Sequence, residues 1–280
     1  EIQITAPNIN VYGVSFPGVP GVIVGFNDSI SFGFTNGGRD VRDYFEIRFK
    51  DESRKEYWYN GEWHQTIWRP EIIKINGSPD FTDSVSYVKL GKDLCPVMYD
   101  NKFSGTKNAK NKYYAVRWKG NDPTNDLKAF NLLNHAENFD DFNNAMIELK
   151  TPGQNVIFAS KSGDIAIKTQ GEWPAKWKEQ GDFIMPGFDS SYLWQAMIPQ
   201  DEVPFQYNPE RGFISSANQK PADDKIYPYY LGRNYPMWRG KEINRRLSSM
   251  ENITTEDMKK LQTDNYNLVA EVVRPLILKN

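Results

Sequence analysis

The sequence predicts an α+β fold, and three observations carry that expectation. Period-two alternation broken by Gly, Pro and Asn turns dominates residues 1–120, helical spacing of apolar residues sets in after Asp122-Pro123-Thr124, and strands resume from Asn155. Runs of strands with segregated helices build layers of sheet covered by helices.

The elements follow in order. Glu1-Ile2-Gln3-Ile4-Thr5 alternates as a strand already under way. Residues 11–16 and 21–25 are short apolar runs parted by Pro17-Gly18-Val19-Pro20, which no helix crosses. Residues 29–34 and 43–49 alternate on either side of the Asn36-Gly37-Gly38 break. Tyr57-Trp58-Tyr59-Asn60-Gly61-Glu62-Trp63 reads as a hairpin, its Asn-Gly pair supplying the positive-φ turn. Further strands are expected over 84–90 and 113–118.

Leu127, Phe130 and Leu133, then Phe139, Phe142, Ala145, Met146 and Leu149, recur at helical spacing until Pro152-Gly153. Two packed helices joined through residues 134–138 follow from this pattern. Residues 155–159 and 165–168 form a hairpin about Ser162-Gly163-Asp164. Residues 171–240, rich in Pro and aromatics without periodicity, read as long ordered loops wrapped around a sheet. A helix is expected over about 236–250, and another from Thr254 or Thr255 as N-cap through Met258, Leu261, Leu268, Val269 and Val272.

The composition narrows the functional classes. Of 280 residues, 34 are Lys or Arg and 36 Asp or Glu, giving a net charge of −2, so no basic excess points to nucleic acid or an anionic membrane. No apolar run approaches the length of a membrane helix, and no leader pattern opens the chain. Cys95 is the sole cysteine, which excludes an intrachain disulfide and a Cys-rich metal site. Both ends read as cut from something longer, since a strand is in progress at Glu1 and the apolar tail through Leu278 seeks burial.

Conventional catalytic sets find little material. His64 and His135 are the only histidines, too few for a multi-imidazole zinc site, and both read as structural or surface residues. Cys95 reads as a packing residue. Neither Gly18-Val19-Pro20-Gly21 nor Gly33…Gly37-Gly38 leads into a helix or a Lys-Ser/Thr pair, as a phosphate-cradling loop would. Asp40 and Asp43, flanking Val41-Arg42, suit either a hard ion such as calcium or two solvated turn acids. The 14% aromatic content with eight Trp admits sugar stacking, although most of these rings fall where a core needs them.

Three ordered blocks go further. The first is Phe16-Pro17-Gly18-Val19-Pro20-Gly21, then Gly25-Phe26-Asn27 and Phe32-Gly33-Phe34-Thr35-Asn36, with Asp40 and Asp43 just beyond. The second runs from Phe130-Asn131-Leu132-Leu133-Asn134 through Asn138-Phe139 to Pro152-Gly153-Gln154-Asn155 and Gly163-Asp164-Ile165. Asn208-Pro209, Gly212-Phe213-Ile214, Ala217-Asn218, Trp238-Arg239 and Glu242-Ile243 make the third. Together these resemble the penicillin acylase family of N-terminal nucleophile hydrolases.

The resemblance implies an αββα arrangement of layered antiparallel sheets, with a hydrolase core at about 1–60 and 125–250 and a strand-rich insertion at about 57–120. It implies a large chain without its start, whose nucleophile is a Ser upstream of Glu1 exposed by autoprocessing, its α-amine acting as base. A small (alpha) chain of the same precursor is then a partner, the substrate a small acylated amide, and the location periplasmic or secreted. The oxyanion donors fall on the backbone N–H of Asn36 and the side-chain amide of Asn218, and Arg239 matches the arginine near the nucleophile. Val24, Phe34 and Gln154 match acyl-pocket positions. Asp40, Arg42 through its carbonyl, and Asp43 match calcium ligands, with Tyr229 or Tyr230 where a further ligand is expected. On this reading the 280-residue chain alone is inactive. The competing reading is a non-catalytic glycan-binding module of a secreted protein.

Overall fold

The computed structural model describes residues 1–98, 112–232 and 235–279. They fall into two compact units, the first built of residues 1–39, 124–172 and 198–280 and the second of residues 40–123 and 173–197. The strand-rich unit thus takes in residues from 40 onward as well as the expected 57–120, of which 99–111 lie outside the described residues.

The first unit holds an antiparallel sheet of β1 (Ile2–Ala6), β2 (Ile9–Val14), β3 (Val24–Asn27), β4 (Ile30–Asn36), β12 (Gln154–Ser160), β13 (Ile165–Gln170) and β15 (Phe205–Tyr207), in that spatial order. Because β3 begins only at Val24, the apolar run expected to be one strand is divided. Val22 and Ile23 are buried below the turn, while Val24 is exposed. Gly13 and Gly25 face each other across β2 and β3, and a Cβ on Gly13 would lie 2.1 Å from the Val24 carbonyl oxygen. Only bare α-carbons permit that approach.

Helices α1 (Leu127–His135) and α2 (Phe139–Glu148) cover one face of this sheet. Alternation along β4 and β12 puts Phe32, Phe34, Val156 and Phe158 on the helix side, packed with Leu133, Phe142 and Met146. Thr35, Gly33 and, by register, Val24 and Asn155 take the other face. The Asn138 side chain accepts from the Asp141 N–H and starts α2.

Beyond the loops, α3 (Trp238–Ser248) forms where a helix was expected. The last expected helix is instead two, α4 (Thr255–Thr263) and α5 (Leu268–Ile277). Thr254 and Asp257 close a capping box on α4, and Asn267 accepts from the Ala270 N–H to start α5 afresh. Local capping at Asn267 overrides the continuous apolar pattern. The apolar tail is exposed, Leu276 at 61% and Ile277 at 68%.

In the second unit the sheet order is β14 (Met185–Pro186), β5 (Arg42–Ile47), β11 (Tyr113–Trp118), β10 (Asp93–Met98), β9 (Phe81–Leu90) and β8 (Ile67–Ile73). Strands β8 and β10 have no counterpart in the sequence reading, because Pro70 and Pro96 demote those runs. Here β8 sits at the sheet edge, where a proline is tolerated. The Asn60-Gly61 hairpin forms as expected between β6 (Glu56–Tyr59) and β7 (Glu62–Gln65), both turn residues at positive φ. Phe45, Tyr57, Val88, Leu90, Cys95, Ala115 and Met185 form the core.

Candidate active site

Strand β4 ends at Asn36, next to Gly153-Gln154 at the start of β12. The Gly37 N–H donates to the Gly153 carbonyl at 3.0 Å, so alternation makes Asn36 and Gln154 a non-hydrogen-bonded pair. The Asn36 N–H therefore points away from β12, toward a flank where β3 has already stopped pairing at Phe32. Asn36 itself is exposed.

The Asn36 carbonyl is held from two sides. Asn218 Nδ2 donates to it at 3.0 Å and Asn155 Nδ2 at 3.2 Å. Asn218 stands at positive φ (61°), a conformation its short polar side chain tolerates, in a loop pinned by Gln219, which accepts from the Ala217 N–H and donates to the Ser215 carbonyl. From the first turn of α3, Arg239 Nη2 donates to Asn218 Oδ1 at 2.8 Å. A guanidinium only donates and a carbonyl only accepts, so these two neighbours leave one orientation of the carboxamide and present its NH₂ toward Asn36. Only one of the two N–H bonds is used by the Asn36 carbonyl. Arg239 thus contacts Asn218, while Glu242 pairs with Arg245 and Arg246.

Asn155 was quoted in the sequence motif without a role. It is 3% exposed, donates also to Thr35 Oγ1 at 3.2 Å, and accepts from Thr169 Oγ1 at 2.9 Å, while Thr35 and Ser216 share a hydroxyl–hydroxyl bond. A polar residue inside an apolar strand was the available signal. A polar cleft of about 230 Å³ opens beside it, lined among others by Thr169, Phe205, Arg211, Ser216 and Asn244.

The structure brings Asn36, Asn218, Arg239 and Gln154 together, Gln154 Nε2 reaching Asn36 Oδ1 at 3.4 Å. It does not gather the three expected pocket residues on one surface. Phe34 packs under the helices against Phe130 with ring centroids 5.5 Å apart, on the same face as Gln154, whereas Val24 is on the opposite face.

In the second unit, Asp43 is fully buried on β5, with Asp40 just before that strand. Lys176 Nζ lies 2.8 Å from Asp40 Oδ2 and 2.7 Å from Asp43 Oδ1, and the Trp194 indole N–H donates to Asp43 Oδ2 at 2.5 Å. Burial pushes the Asp43 carboxyl up, and the Lys176 ammonium and the indole pull against that. The Lys176 ammonium lies between the two carboxylates. Arg42 projects outward, its guanidinium 5.7 Å from the Tyr44 ring centroid. Among the described residues no cluster of three or more His, Cys, Asp or Glu is placed to hold a metal. Nothing near Asp40 in sequence announced Lys176.

His64 packs between Tyr57 and Tyr59, and His135 Nδ1 meets the Asn131 carbonyl at 2.8 Å. His135 is exposed. Cys95 is buried, and desolvation raises its thiol to about 12.

Known proteins resemble this chain. An acyl-homoserine lactone acylase of Pseudomonas syringae pv. syringae is 26% identical over 267 residues, 95% of this chain and 31% of its own length. A penicillin G acylase of Escherichia coli is 25% identical over 209 residues, 75% of this chain and 23% of its own. The chain thus spans about a third or less of these relatives. The solved thermostable penicillin G acylase of Alcaligenes faecalis superposes with a TM-score of 0.74 at 23% identity, over 91% of this chain and 44% of its own, which shows a shared fold. The family model described as penicillin amidase matches residues 1–280, so the chain belongs to the penicillin amidase family.

Proposed function

We propose that this chain supplies the oxyanion-binding part of an acylase that cleaves the amide between an acyl group and an amine, with an N-terminal Ser nucleophile contributed from outside residues 1–280. The observation that carries the reading is the Arg239–Asn218–Asn36 chain, which aims a carboxamide NH₂ and a strand-end N–H at one strand terminus. Family membership supports the hydrolase class over the glycan-binding reading.

When an alkoxide adds to an amide carbonyl, the oxygen gains a full negative charge. Fixed donors stabilise that charge without reorganising. The Asn218 NH₂, oriented by Arg239, and the Asn36 N–H are the donors this chain offers. No histidine is needed if the nucleophile's own α-amine takes the proton through water and returns it to the leaving amine. The substrate class is an N-acyl amide such as an acyl-homoserine lactone or a β-lactam, by the names of the relatives. Autoprocessing of a precursor, pairing with a small chain and a periplasmic or secreted location accompany this reading.

The test is hydrolysis of acyl-homoserine lactones and phenylacetylated amines by the full-length protein. Turnover that Asn218→Ala lowers by about 10²–10³ in kcat is the expected result. Absence of turnover on both substrate types, or an Asn218→Ala variant as active as the parent, overturns the reading. The isolated 280-residue chain should not turn over either substrate.

A further inference from the structure

We propose that Lys176 is a built-in cation of the second unit, occupying the position between Asp40 and Asp43 where the resemblance to other acylases places calcium, and that this site takes no divalent metal. Four observations converge on it. The ammonium contacts one oxygen of each carboxylate, at 2.8 and 2.7 Å. The Lys176 side chain is 3% exposed and Asp43 wholly buried, while Asp40 is 32% exposed, so the ammonium is buried beneath a carboxylate that reaches solvent. The remaining Asp43 oxygen is engaged by the Trp194 indole N–H. Gly181, at φ +89°, closes over the cluster so tightly that a Cβ would stand 2.2 Å from Asp43 Oδ1, 2.7 Å from Lys176 Nζ and 2.8 Å from Asp40 Oδ2.

The chemistry separates the two cations. Calcium takes about six to eight oxygens at about 2.3–2.6 Å, usually with water among them. Here two carboxylate oxygens converge on a nitrogen, and the Gly181 backbone fills space that completing waters would need. An ammonium asks for fewer acceptors, which this pocket supplies. Lys176 also lies 5.6 Å from the centroid of the Trp194 ring, a favourable placement for a cation over an aromatic face.

The full-length protein is titrated with terbium, a calcium surrogate whose emission is sensitised by a nearby indole such as Trp194, and thermal unfolding is followed in parallel. The expected result is no Asp40-dependent emission in the parent protein, judged against Asp40→Asn. Lys176→Met should unfold at a lower temperature and gain sensitised emission that Asp40→Asn removes. Asp40-dependent emission in the parent overturns the proposal, as does a Lys176→Met variant that is as stable as the parent and remains dark. If Lys176→Met does not fold, the comparison of parent with Asp40→Asn decides alone.

Discussion

The Asn134 carboxamide takes both backbone polar atoms of Val22, accepting from its N–H at 2.8 Å and donating to its carbonyl at 2.7 Å. Asn134, at the end of α1, is 2% exposed and Val22 fully buried, so the helix end mimics a strand for a buried residue that lies outside the β2–β3 ladder. Asn134→Ala strands both groups and should cost about 2–4 kcal/mol, read as a lower denaturant midpoint with an unchanged slope.

Arg239 acts through Asn218, and its replacement should show that. Arg239→Met should lower kcat about tenfold or more while KM changes much less. Asn218→Asp is the sharper variant, since its carboxylate keeps the Arg239 contact but offers no donor to an oxyanion. It should lose as much activity as Asn218→Ala, and retained activity would remove Asn218 from the donor set.

Cys95 should be chemically silent in the folded protein. Its thiol, buried and raised to about 12, carries almost no thiolate at neutral pH. A disulfide reagent at pH near 8 should label no Cys95 until denaturant unfolds the chain, then one thiol at the unfolding midpoint.

Asp122 gives the second unit an acid limit. Burial pushes its carboxyl up, but Arg117 at 2.9 and 3.0 Å and Lys119 at 2.9 Å outweigh that and hold it below the ordinary value. A carboxyl lowered by folding stabilises in full above its unfolded pKa, and that share is lost as pH falls through the folded value. Asp122→Asn should therefore flatten the loss of stability as pH falls below the ordinary carboxyl value of 3.8, followed by urea unfolding at stepped pH.

Gly181→Ala should destabilise the second unit by about 2–4 kcal/mol, from a side chain forced to positive φ and driven into Asp43. Loss of near-ultraviolet signal from Trp194 at lower temperature is the measurement.

Local signals account for what the sequence disclosed. The Asn60-Gly61 hairpin, the Thr254 cap and the helix pair were legible because each is decided within a few residues. Strands β8 and β10 were not, since Pro70 and Pro96 speak against a strand and only sheet partners reverse that. The site divides the same way. Asn36, Asn218 and Arg239 were singled out through motif resemblance, and the structure links them by hydrogen bonds. Lys176 answers partners far along the chain and carries no mark of its own, whereas Asn155 was marked only by a polar side chain inside an apolar strand.

The Lys176–Asp43 pair spans 133 positions, and between them the chain leaves to build part of the first unit. During synthesis, Asp43 has no counter-charge until residue 176 has emerged. The interior of the second unit can therefore close only after the residues of the helix pair and of the β12–β13 hairpin have been synthesised. Such an order leaves strand edges of β5 and its neighbours waiting on long loop closures, the Trp194–Asp43 bond spanning 151 positions, and makes that interval the one in which a chaperone or a premature stop would matter most.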